Sequence, residues 1–141
     1  MALLRLSAPP IVAERSGRLT TILRYAVTVV CAASAGIHAA LVRPHVEEAG
    51  LLLGAAFAAA SVALAVAALA VRQPRHDAWA PVTAGVVLCV IAVSYLLSRT
   101  TGLPLLITDH EELDPLGVLT TGAELLGALA AVVLIRQKET A

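Results

Sequence analysis

Charge and aromatic rings are scarce in this chain: 14% of its 141 residues are charged and 3% are aromatic. So little charge is out of keeping with a soluble globular domain. The aromatic residues, Tyr25, Phe57, Trp79 and Tyr95, are too few for a stacking platform, which argues against nucleic acid as a partner. The formal net charge of zero carries no information on that point. Methionine occurs once, at Met1, and cysteine only at Cys31 and Cys89. A thioether or thiolate relay for copper(I) is therefore disfavoured. Both cysteines fall near the middle of apolar stretches and read as small apolar fillers; a disulfide there would need two helices to align. No nucleophile–base pair and no phosphate-binding loop appears, which argues against an enzyme. A cleavable signal peptide is not expected, because Arg5, Pro9, Pro10 and Glu14 interrupt the N-terminus before any apolar run is long enough. Thr28–Cys31 is a poor lipoprotein cleavage site, with Val30 where a small residue is wanted.

What the chain has instead is apolar length. Hydrophobic residues make up 59% of it. A basic lead, residues 1–19, carries Arg5, Arg15 and Arg18 and can rest on headgroups or stay unstructured. Residues 20–141 form one unit with four apolar stretches, at 20–42, 51–71, 79–98 and 115–135. Each is about 20 residues, the length that crosses about 30 Å of hydrocarbon at 1.5 Å per residue. Backbone groups in lipid must be bonded within their own segment, so helices are the natural form. The expected fold is all-α: a four-helix transmembrane bundle. Small residues such as Gly50, Gly54, Ala56, Ala60 and Ser61 read as packing surface.

Lysine and arginine set the orientation. Arg5, Arg15, Arg18, Arg24, Arg72, Arg75, Arg136 and Lys138 fall at one end of the bundle, and only Arg43 and Arg99 at the other. Both termini are therefore expected in the cytoplasm, with a multi-pass chain in a bacterial plasma membrane. Trp79 and Tyr95 suit the two interfaces as anchors. The outward connections then hold Glu47, Glu48, Asp109, Glu111, Glu112 and Asp114, together with His45 and His110, and His38 lies about a turn below them. His76 is at the inner end.

Polar groups that do not fit a plain bundle are the candidates for chemistry. Glu124 falls about nine residues into the fourth helix, near the bilayer centre, where an unpaired charge costs several kcal/mol. Its expected partners are His38 and Arg99, or a hydroxyl of Thr120 or Thr121. Arg99 either snorkels outward or pairs with Glu124 or Glu48. Pro44 is expected to kink or restart the first helix, which would set His45 and Glu48 on one face at i, i+3, a spacing used by metal ligands in bundles. Asp114-Pro115 reads as an N-cap followed by proline at the first helical position. His110 sits among acids, and Leu103–Ile107 could cover the helix ends as a lid. Imidazole with carboxylate suits zinc, iron, manganese or copper(II). A bis-histidine haem is disfavoured, because the second, third and fourth helices contain no histidine.

The segments G-I-H-A-A-L-V-R-P-H-V-E-E, V-S-Y-L-L-S-R-T-T-G-L-P and L-D-P-L-G-V-L-T-T-G-A-E-L resemble a group of small four-helix bacterial membrane proteins common in high-GC genomes. The resemblance covers nearly everything beyond the lead. It implies the four-helix fold and a shared polar set at His38, His45, Glu48, Ser98, Arg99, Gly102, Pro104 and Glu124, and it brings no activity with it. The expectation is a polar pocket in the outer half of the bundle. His38, His45, Glu48, Glu124 and His110 would hold a divalent transition metal, with Arg99 and Glu124 available to a cofactor. The alternatives are an accessory subunit of a larger membrane complex or a homo-oligomer, and a proton-coupled carrier that uses Glu124.

Overall fold

In a computed structural model of the chain, the four apolar stretches are α-helices: α1 Pro10–Ala49, α2 Leu51–Arg72, α3 Trp79–Thr100 and α4 Pro115–Glu139. The structure describes the backbone of residues 10–73, 79–102 and 113–139, and the side chains of 17–73, 79–102 and 113–137. There is no strand among the described residues. Each helix is long and apolar enough to cross a membrane, so the protein is an integral membrane protein of the all-α, four-helix class.

The first helix departs from expectation at both ends. It starts at Pro10, ahead of the apolar stretch, and continues through Pro44 to Ala49. Proline is tolerated at the first helical position because its missing N–H would have no intrahelical partner there. Pro44 neither ends nor restarts the helix. The ladder closes again beyond it, with the Gly50 amide on the Val46 carbonyl at 3.1 Å. Arg43 and Glu47 form an exposed i, i+4 pair at 2.7 Å across it. At 40 residues, α1 is about 60 Å long, roughly twice the hydrocarbon thickness. Gly50 then joins α1 to α2 at φ 90°, a conformation that a side chain would strain.

The helices pack as a ring in chain order. α1 lies most extensively against α2, and α3 against α4; α4 on α1 and α2 on α3 close the ring, while α1 and α3 meet only slightly across the diagonal. The two halves of the bundle differ. Toward the chain termini the core is filled by Val27, Cys31, Leu64, Leu88 and Leu134 with alanines between them. Thr20 of α1 donates to Gln137 of α4 at 2.8 Å at that end. Toward the Gly50 turn this core stops, and polar side chains enter.

The outward faces are apolar. Val62, Leu69, Leu119 and Leu126 are all more than 60% exposed, and in a bilayer they meet acyl chains. Trp79, at the start of α3, is exposed and suits an interfacial ring. Tyr95 does not take the anchor position expected of it. It is half-buried and turns into the bundle. Gly117 on α4 makes this possible, because a Cβ there would fall on the Tyr95 ring.

Candidate functional site

Glu124 is 1% exposed, in the interior of the bundle. Desolvating a carboxyl is costly unless hydrogen bonds compensate it. The compensation comes from α1: the Ser34 hydroxyl, itself 2% exposed, donates to Glu124 Oε1. Ser34 is the partner that sequence reasoning missed. The position four residues before His38, on the same helix face, was the available signal. The Ser34 oxygen also lies 3.4 Å from His38 Nδ1. Ser34 thus links the buried carboxyl to the imidazole.

The two imidazoles of α1 are anchored alike. His38 Nδ1 is 2.9 Å from the Ser34 carbonyl, and His45 Nδ1 is 2.8 Å from the Leu41 carbonyl, each one turn back. A carbonyl only accepts, so Nδ1 carries a hydrogen in each ring. In a neutral ring, Nε2 then keeps its lone pair. The two residues are nearly eclipsed on α1, two turns apart, a rise of about 10.5 Å along the helix. Phe57 of α2 stands between their rings, stacked on His45 at 3.9 Å and tilted on His38 at 5.3 Å. The only phenylalanine in the chain therefore keeps the histidines apart while building a continuous aromatic wall.

At the Gly50 end, Arg99 takes a different partner from those expected. Its Nη2 lies 3.0 Å from Asp114 Oδ2, and its guanidinium sits 4.8 Å over the Tyr95 ring. Asp114 also accepts the Gly117 amide through Oδ1 at 2.6 Å, which is the N-cap read from the sequence. One carboxylate thus starts α4 and holds α3 to it. Glu124 lies ten residues further along α4, about 15 Å below this pair. Glu48 is exposed at the end of α1. His110, His76, the other acids of the α3–α4 connection and the proposed lid at Leu103–Ile107 lie outside the described residues.

These elements surround a cavity of about 480 Å³. His38, His45, Tyr95, Arg99 and Asp114 give it polar points, and Phe57 an aromatic face. Glu124 is not on its wall. The room exists because α2 presents Ala56 and Ala60 here, where the opposite half of the bundle has Leu64. The alanines read as packing surface thus also line a space. The Tyr95 hydroxyl is buried and has no hydrogen-bond partner among the described residues. Among the described residues, no three of His, Cys, Asp and Glu come together to hold a metal ion. Comparison with protein-family models, curated proteins and solved structures finds no match to the chain.

Proposed function

We propose that this integral membrane protein is a binding module whose cavity, in the half of the bundle near the Gly50 turn, takes a small ligand. The observation that carries the reading is the cavity: about 480 Å³, between the helices, with a few convergent polar side chains on walls that are otherwise apolar. Ligand sites of about 300–1,000 Å³ share this composition. The excess of arginine and lysine at the opposite end supports placing the cavity toward the outer face of a bacterial plasma membrane.

The experiment is native mass spectrometry of protein extracted in mild detergent, with the variant Ala60→Phe beside it. Phenylalanine at position 60 projects into the cavity. Retention of a bound small molecule by the native chain and its loss from the variant support the reading. Equal spectra for the two remove it.

A divalent transition metal is the second reading, and the anchored imidazoles favour it. A hydrogen bond from one ring nitrogen to a carbonyl is the usual way a ligating histidine is oriented, and His38 and His45 both have it. Because Phe57 stands between the two rings, zinc, iron, manganese or copper(II) would use His38 or His45 one at a time, with further donors from Glu48, His110 or Glu124. Elemental analysis decides it: metal retained by the native chain and lost in His38→Ala or in His45→Ala is the supporting result, and no metal in the native chain removes the reading.

A further inference from the structure

We propose that the occupant of the cavity is an uncharged, flat, ring-bearing molecule with a carbonyl oxygen and an apolar tail, the chemistry of a quinone. The proposal rests on the reading of the cavity as a ligand site and commits it to a class. Three observations point there. The first is charge. Arg99 and Asp114, the cation and the carboxylate on the cavity wall, are bonded to each other at 3.0 Å. Glu124 is off the wall and held by Ser34. Among the described residues, the cation and the carboxylate on the wall thus offset each other, which favours an uncharged occupant in an otherwise apolar cavity.

The second observation is shape. His45 and Phe57 stack at 3.9 Å with 22° between their planes, and His38 continues the wall at 5.3 Å. A flat conjugated ring can join such a wall by offset stacking, which an acyl chain cannot. The third is hydrogen bonding. The Tyr95 hydroxyl is a buried donor with no partner among the described residues. It calls for an acceptor such as a carbonyl oxygen. His38 and His45 are bonded through Nδ1 among the described residues, so in a neutral ring Nε2 can accept from the hydroxyl of a reduced form. Ile37, Leu41, Leu53 and Ile91 then supply apolar wall for a tail.

The test measures equilibrium binding to the full chain in detergent micelles. The probes are a benzoquinone with a decyl chain, decanol and decanoate; Ala60→Phe corrects for partition into the micelle. The expected result is quinone binding about tenfold tighter than that of either comparator. Tyr95→Phe should weaken the quinone about fivefold to tenfold, the loss of one buried hydrogen bond. Phe57→Leu should weaken the quinone by a larger factor than decanol, with helical circular dichroism and a monodisperse gel-filtration peak showing that the variant is folded. If decanol or decanoate binds as tightly as the quinone, the cavity takes an acyl chain or an anion and the quinone class is wrong. Unchanged quinone affinity in both variants also overturns it. In either case the cavity remains a ligand site. If no probe distinguishes the native chain from Ala60→Phe, the quinone class fails and the small-ligand reading loses its support from these probes as well.

Discussion

Ser34 on α1 donates its hydroxyl hydrogen to Glu124 on α4, where the mainly apolar core gives way to polar side chains. The bond joins two helices distant in sequence and satisfies a carboxyl that lipid would not solvate. The two partners are not equivalent. Removing the serine leaves a buried carboxyl short of a donor, and an unsatisfied buried group costs more than the bond itself contributes. Replacing the glutamate by glutamine keeps an acceptor for the serine.

Ser34→Ala is therefore expected to destabilise the bundle by about 1–2 kcal/mol, and Glu124→Gln by less. The double variant Ser34→Ala, Glu124→Leu, which removes both polar groups, should recover part of the loss. Thermal unfolding in a single detergent checks the order. If Glu124→Gln proves the worse of the two single variants, the carboxyl has a role that this bond does not describe.

Glycines on α4 offer a matched pair. At Gly117 an added Cβ would fall on the Tyr95 ring and lie 2.5 Å from Asp114 Oδ2, whereas at Gly122 it would meet nothing within 4 Å. Gly117→Ala has to move either the tyrosine or the N-cap that also holds Arg99, and overpacking of this kind costs about 1–3 kcal/mol. Gly122→Ala replaces glycine in an open helix interior and should gain up to about 1 kcal/mol. Melting temperatures moving in opposite directions support the contact. Equal shifts would mean that Tyr95 does not pack on α4 as described.

The fold was legible because the bilayer imposes a length and forbids unpaired backbone: four runs of about 20 apolar residues admit little else. Ends and partners were harder to read. Pro44 looked like a break, but α1 closes its ladder around it. The Asp114 cap was readable from local order, since Asp-Pro at a helix start is a short-range signal. Its second bond, to Arg99, depends on how α3 and α4 meet, and sequence spacing does not contain that. Glu124 stood out by its cost, whereas its partner Ser34, like the wedge Phe57, is ordinary in its own helix and becomes informative only across an interface.

Cysteine chemistry separates the interior from the lipid face. Cys31 is 0% exposed in the core, and Cys89 is exposed on the outside of α3; both are free thiols. Intact protein in detergent should add one N-ethylmaleimide, at Cys89, and denatured protein two, read by intact mass and peptide mapping. Early modification of Cys31 would show that the packed half of the bundle opens readily.

Orientation can be tested through the two cations that oppose it. Arg43 and Arg99 are the exceptions at the Gly50 end, and each has a carboxylate against it: Glu47 at 2.7 Å and Asp114 at 3.0 Å. Acids count for little in setting topology, so the expectation rests on the imbalance, eight basic residues against two. A green fluorescent protein fused after Ala141 should fluoresce, and alkaline phosphatase at the same position should be inactive. Phosphatase fused after Gly50 should be active, since one crossing precedes it. Arg43→Ala should leave this pattern unchanged, because it deepens the existing asymmetry. Active phosphatase after Ala141 would invert the molecule and place the cavity on the cytoplasmic side, where a ligand would reach it from within the cell.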